Sequence, residues 1–327
     1  MNIGTEIPED YVTMKGACLA VTGSGKSYGM GALIEEFEKK EIPYVLFDVM
    51  GAHYGLTEKF PRAIFGGSKG LPLDHEEGKM YAEAIVDSNE SAIFDLSHWN
   101  DFQMQIFVGE FLQELFRLHS ETKTPRHIFV EEAEVFFPQQ GYDDSKKSLL
   151  AGNKIMKRGR SFGLGMTLIT QRPQDVNKKT LSQSQCTFIL HMEGLQEMEV
   201  IKKMLRNVDK DKREKLINRI LEFKQGECLL YSPSWLGRIE EFKFRKRETY
   251  HAGDTPELNK TFKEPTLQTI TKPFNDEYIF DEELSPEEEE SVVIETAATD
   301  QKKMLKPVIA WSALILALTV GILTGFL

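Results

Sequence analysis

Over residues 1–250, apolar positions fall into two alternating patterns. Short continuous apolar runs, at 17–21, 44–48, 63–65, 92–94, 127–130, 166–170 and 187–190, suit strands buried on both faces. Between them lie stretches at helical spacing: 28–40 carries Met30, Leu33, Ile34 and Phe37, and 101–119 carries Phe107, Phe111, Leu112, Leu115 and Phe116. Further helices are expected at 79–86, 149–160, 197–206 and 210–221, with a closing strand pair at 227–231 and 238–244. Strands alternating with helices predict an α/β fold whose mostly parallel sheet is covered by helices on both faces. Such sheets bind ligands at the carboxyl ends of their strands.

One junction in this pattern carries a chemical signature. Ala20-Val21-Thr22-Gly23-Ser24-Gly25-Lys26-Ser27 links the first apolar run to the first helix and reads as a phosphate-binding loop with Ala in place of the usual first Gly. A glycine-rich turn there aims backbone N–H groups and the positive end of the helix dipole at one point, which triphosphate oxygens fill. Gly23, Ser24 and Gly25 shape the cradle, Lys26 reaches the β- and γ-phosphates, and the Ser27 hydroxyl helps hold Mg²⁺, so ATP with Mg²⁺ is the expected ligand. Phosphate-loop chemistry also needs an acidic element on a neighbouring strand, and Ile128-Phe129-Val130-Glu131-Glu132-Ala133 supplies it. Glu131 is expected in the metal shell, and Glu132 as the general base for attacking water. The same pair also suits a helix start favoured by its dipole.

Two weaker signals join these. Gln171 ends the 166–170 strand and is placed to sense the γ-phosphate, although a strand-ending Gln before Pro also fits a plain turn. Arg158 and Arg160 close a basic helix, and Arg suits charge stabilisation on a transferring phosphoryl group, one of the two reaching a neighbour's nucleotide in a ring. A solvated basic helix end that complements the dipole is the alternative for each.

Composition changes the picture mainly at the carboxyl end. The net charge of −11 resides entirely in residues 276–300, which hold 11 acidic and no basic side chains, leaving a neutral body. Residues 251–306 read as a flexible acidic linker. Residues 307–327 then carry no charge, long enough to cross a bilayer as a helix, with Lys302, Lys303 and Lys306 before them. This predicts a single-pass C-terminal anchor with an ATPase domain, 1–250, on the cytoplasmic side. Gly321 and Gly325 have the small-residue spacing of helix pairing. Cys18, Cys186 and Cys228 form no metal spacing and fit a reducing compartment, and residues 1–11 contain no apolar signal core. Between 202 and 219 the basic residues Lys202, Lys203, Arg206, Lys210, Lys212, Arg213, Lys215 and Arg219 suit either a solvated face or phosphate contacts in a pore.

The phosphate loop, Phe47-Asp48-Val49-Met50-Gly51, Val130-Glu131-Glu132-Ala133-Glu134 and the long run from Arg158 to Pro173 together resemble the HerA branch of the FtsK–HerA superfamily. The resemblance implies a RecA/FtsK-like core, a ring-forming homo-oligomer, usually a hexamer, and ATP-driven movement of double-stranded DNA. It also implies a sensor role for Gln171 and a trans-acting finger at Arg158 or Arg160. Glu134 stands where relatives often have His, and the N-terminal β-barrel of HerA helicases has no counterpart here. With the expected anchor, this points to a specialised motor at a membrane, with a protein partner in a viral or plasmid assembly. Two other readings stand beside it: an ATPase driving protein assembly or secretion through a membrane complex, and a nucleotide-gated membrane scaffold without turnover. Glu132 speaks against the scaffold, since a pure switch needs no base.

Overall fold

The computed structural model describes residues 1–142, 145–253 and 266–268. Its strands are β1 (Lys15–Leu19), β2 (Tyr44–Asp48), β3 (Ala63–Gly66), β4 (Ala92–Asp95), β5 (Arg126–Val130), β6 (Leu164–Thr170), β7 (Cys186–Ile189), β8 (Glu227–Ser232) and β9 (Arg238–Lys243). Among the described residues all nine join one sheet, in the order β3-β4-β2-β5-β6-β1-β7-β8-β9. Every pairing from β3 across to β7 is parallel, and β8 and β9 extend the sheet as an antiparallel pair. The helices are α1 (Lys26–Lys39), α2 (Gly78–Ser88), α3 (Asp101–Thr122), α4 (Ala133–Phe136), α5 (Ser145–Arg158), α6 (Lys178–Leu181), α7 (Leu195–Met204) and α8 (Lys210–Glu222).

The parallel strands are buried almost throughout, and their centres are mostly apolar. Every residue of β2, β5 and β6 is buried. Helix α3 shows how one cover is fixed. Asn100 and Gln103 form a reciprocal capping box at its start, which satisfies two otherwise orphaned N–H groups. Its inward face then sets Phe107 and Phe111 against Phe47 and Phe94 of the sheet, with ring centroids 5.1 Å apart for Phe94–Phe107 and 5.3 Å for Phe47–Phe111. Truncating Phe111 to Ala removes wholly buried area and costs about 3–5 kcal/mol.

Element positions match the sequence pattern with small shifts. Strand β1 starts and ends two residues before the expected 17–21, because Lys15 and Gly16 extend the ladder to Met166 and Thr167 and the chain turns after Leu19. Helix α5 ends at Arg158, and Arg160 falls in a separate 3-10 turn, Gly159–Phe162. Gly159 is required there, since a Cβ would lie 2.7 Å from the Leu164 carbonyl oxygen.

Past β9 the chain doubles back over α1. Arg245 reaches Glu35 Oε2 at 2.7 Å and Glu36 Oε1 at 2.8 Å. The wholly buried Glu35 also accepts from the N–H groups of Glu248 (2.9 Å) and Thr249 (3.0 Å) and from the Thr249 hydroxyl (2.7 Å). A buried carboxylate with this many donors is compensated for its lost hydration. Phe244 and Arg247 fill the space that side chains on Gly29 and Gly31 of α1 would need. Most of the expected linker (254–265 and 269–306) and the expected anchor at 307–327 lie outside the described residues. Among the described residues no helix is long and apolar enough to cross a membrane.

Candidate active site

The phosphate loop leaves the carboxyl end of β1 and runs into α1. Gly23 (φ 80°) and Gly25 (φ 99°) take left-handed conformations that side chains resist, and Gly25 is the N-cap residue of α1. Among the described residues no side chain caps that helix start, so its first N–H groups face the loop's concavity, an anion site by construction. Ala20 is not among the positive-φ residues, so its Cβ brings no backbone strain where the usual loop has Gly. The loop is braced by Gly226, whose N–H donates to Ser24 O at 2.9 Å.

Adjacent strands bring a row of acidic groups to the same edge. Asp95 ends β4, Asp48 ends β2, and Glu131 and Glu132 follow β5. Glu131 is wholly buried, with Oε1 3.0 Å from His53 Nε2. Burial pushes its carboxyl up, but His53, Lys26 and the Ser27 hydroxyl more than offset that and hold it well below the usual carboxylate range. Asp48 accepts from the N–H groups of Met50 (3.1 Å) and His53 (2.8 Å), and burial pushes its carboxyl up to about 7. Asp48, His53 and Glu131 can each turn one ligand atom toward a common point, these atoms lying within 4.8 Å of one another. Glu131 Oε2 is buried without a hydrogen bond of full geometry among the described residues, although the Ser27 hydroxyl is near enough to favour its charge. An ionised oxygen left in that state fits a divalent cation held jointly with Ser27.

Glu132 is positioned quite differently. It takes a left-handed conformation (φ 43°, ψ 55°), rare for a side chain of this size, which turns it out of the strand direction at the start of α4. Lys26 Nζ donates to its Oε1 at 2.6 Å, and Gln171 Nε2 donates to its Oε2 at 3.2 Å. The Thr22 hydroxyl in turn donates to Gln171 Oε1 at 2.5 Å. Burial works against the charge on Lys26, but Glu131 and Glu132 raise its pKa above the ordinary lysine value. Lysine, base and sensor candidate are thus linked in one chain of hydrogen bonds across β1, β5 and β6.

The family described as Helicase HerA, central domain, matches residues 4–79, the segment holding the phosphate loop, Asp48 and His53. The DNA double-strand break repair helicase HerA of Pyrococcus furiosus is 26% identical over 188 residues, covering 46% of this chain and 33% of that protein. A probable HerA of Methanocaldococcus jannaschii is 32% identical over 106 residues, covering 32% of this chain and 20% of its own length. The chain is thus similar to the HerA branch of the FtsK–HerA superfamily. It spans only a third or less of these curated relatives. Solved structures agree on the fold. The genome packaging NTPase B204 of Sulfolobus turreted icosahedral virus 2 has a TM-score of 0.50 at 18% identity, over 71% of this chain and 98% of B204. VirB4 of Thermoanaerobacter pseudethanolicus has a TM-score of 0.52 at 12% identity, over 72% of this chain and 90% of its own.

In the HerA-like chain, Lys26, Ser27, Glu131, Glu132 and Gln171 share one edge, whereas Arg158 and Arg160 do not join them. Helix α5 runs back toward the start of β6, so both arginines lie at the amino edge, where Arg160 is close enough to lower the pKa of Lys15, an effect second to that lysine's own burial. Both are exposed and neither ion-pairs with a carboxylate among the described residues. Within one subunit they cannot touch a nucleotide held by Lys26. Sequence reasoning assigned no part to His53, Asp48 or Thr22. Asp48 had a usable signal, a carboxylate ending an apolar strand, which is the same signal that picked out Glu131. Glu134 accepts from the Thr170 hydroxyl at 2.6 Å, and burial above all pushes its carboxyl up to about 7.

Proposed function

We propose that this chain is the ATP-hydrolysing core of a ring-forming, hexameric motor that translocates double-stranded DNA, tethered to a membrane by residues 307–327. The observation that carries the reading is the convergence of Lys26, Ser27, Glu131, Glu132 and Gln171 around the uncapped start of α1. The name of the Pyrococcus relative, a DNA double-strand break repair helicase, supports DNA as the cargo. The uncharged stretch 307–327 behind Lys302, Lys303 and Lys306 supports the tether, with the ATPase body cytoplasmic.

The reaction follows from the residues. The α1 N–H groups and Lys26 bind the β- and γ-phosphates, and Ser27 and Glu131 would hold Mg²⁺, which would supply charge neutralisation at the phosphate oxygens. Lys26 Nζ lies 2.6 Å from Glu132 Oε1. Phosphate oxygens compete for Lys26 and draw it off, leaving Glu132 free to accept a proton from water. That water attacks the γ-phosphorus as the bond to the bridging oxygen breaks, and ADP and phosphate leave. Gln171, hydrogen-bonded to both Thr22 and Glu132, orients the water and reports loss of the γ-phosphate to β6. Arg158 or Arg160 completes the site of a neighbouring copy.

Turnover of ATP by the full chain in detergent, with and without duplex DNA, tests the reading beside Glu132→Gln. Stimulation by DNA is expected, and the substitution should cut turnover by roughly 10²–10⁴-fold while ATP still binds. Turnover indifferent to DNA favours protein assembly or secretion as the work done; ATP binding with no turnover favours the scaffold. Flotation with liposomes checks the tether: the full chain should float, and a chain ending before Pro307 should not.

A further inference from the structure

We infer that His53 is a positioning residue for the metal-binding carboxylate, fixing Glu131 through one oxygen so that the other is left for the cation. The inference rests on the ATP and Mg²⁺ site proposed above and adds a residue from outside its phosphate-loop and strand-end motifs.

The loop after β2 is built to deliver this ring. Asp48 closes it by accepting from the N–H groups of Met50 and His53. Gly51 makes the turn at φ 63°, where a Cβ would stand 3.1 Å from Asp95 Oδ2. Strands β2 and β5 are paired neighbours, and the Glu131 N–H donates to Phe47 O at 3.1 Å, so the loop folds back directly beside Glu131. His53 and Glu131 are both wholly buried, 3.0 Å apart between Nε2 and Oε1. A carboxylate only accepts, so Nε2 carries the ring proton and donates it into this contact. That bond fixes the carboxylate's rotation. In this pair His53 Nδ1 and Glu131 Oε2 are buried without hydrogen-bond partners among the described residues. A pair kept for stability alone is poorly made when it buries a charge and leaves two polar atoms unmatched. One that orients a metal ligand is well made, because outer partners of this kind set the ligand's direction and basicity.

Mn²⁺ is the probe, its free signal followed by electron paramagnetic resonance during titration into the full chain with a non-hydrolysable ATP analogue. His53→Leu, which keeps bulk and removes the donor, should weaken Mn²⁺ binding roughly 10–100-fold, with nucleotide affinity in EDTA unchanged. His53→Gln, whose amide N–H can replace Nε2–H, should restore most of the loss. Wild-type affinity in His53→Leu overturns the inference. Equal loss in Leu and Gln also overturns it, because the imidazole itself is then the ligand. Failure of the wild-type complex to bind Mn²⁺ instead brings down the nucleotide-site reading beneath it. A folded wild-type chain with ¹⁵N-labelled histidine gives a test free of substitution: His53 must be protonated at Nε2, and a ring protonated at Nδ1 alone overturns the assignment.

Discussion

Both ends of β5 carry buried polar side chains, and they are completed to different degrees. At the amino end, His127 Nδ1 lies 3.0 Å from the Val12 carbonyl oxygen and Nε2 lies 2.8 Å from Thr167 Oγ1, which is 2.7 Å from the Tyr11 hydroxyl. Burial pushes the His127 imidazole down to about 3, so the ring is neutral. Nδ1 must then donate to the carbonyl, Nε2 accepts from Thr167, and Thr167 accepts from Tyr11: each bond dictates the next. At the carboxyl end, His53 and Glu131 sit just as deep, yet each keeps an unmatched atom. The His127 network is thus closed on itself, whereas His53 and Glu131 keep open atoms beside the phosphate loop; Arg126 Nε, also on β5, is likewise unmatched among the described residues. Neither depth nor an unmatched atom by itself marks the candidate site; the position of Glu131 beside Lys26 and Ser27 does.

The hardest challenge to that division is the arginine pair, since it gives the amino edge a part in chemistry. On the proposed trans-acting role, Arg158→Ala or Arg160→Ala should lower ATP turnover by about 10³-fold without weakening ATP binding. Mixing such a variant with Lys26→Ala copies should recover part of the activity. If neither substitution changes turnover, the amino edge is structural throughout.

His127→Leu sharpens the contrast from the other side. It should cost about 1–3 kcal/mol in denaturant unfolding while turnover per folded molecule holds, because it opens only the finished network. The pH dependence has a definite sign. The folded ring is held at about 3 against an ordinary 6.5, so between those values the unfolded chain takes up a proton that the folded chain refuses. That contribution is absent above the window and destabilises the wild type as pH falls through it. The deficit of His127→Leu should therefore shrink between pH 7 and pH 4.

The smallest effect belongs to Glu134, on the border of the open network. Its folded carboxyl is raised to about 7, chiefly by burial and further by Glu132, against an ordinary 4.5. The folded chain holds that proton more tightly than the unfolded one, so stability falls as pH rises through the window. Glu134→Gln keeps an acceptor for Thr170 and cannot ionise. Its melting temperature should match the wild type near pH 5 and exceed it by a few degrees or less at pH 8.

Much of this was legible in the chain. Alternating apolar runs and helical faces placed the sheet and its covers, and polar residues ending apolar strands picked out Glu131, Glu132 and Gln171. Those positions are readable because a strand's end is set locally, by where its apolar run stops. His53 was not, because its place depends on a loop closed by Asp48 and aimed at another strand, a contact that leaves no periodicity behind. Nor was the distance of Arg158 and Arg160 from their own phosphate loop, since a helix end in sequence does not say which edge of the sheet it meets. Thr22 lay inside the recognised loop, yet its hydroxyl's partner, Gln171, comes from a strand 149 residues later.

The strap over α1 has a mechanical consequence. Glu35 gathers bonds from residues 245, 248 and 249 on the helix whose first turn carries Lys26 and Ser27. Gln268 is also tied to this fold, donating to the Thr57 and Glu58 carbonyl oxygens at 2.8 and 3.0 Å. The helix whose first turn carries Lys26 and Ser27 is therefore coupled to the segment that follows β9, so a displacement of that segment is felt by the helix of the phosphate loop.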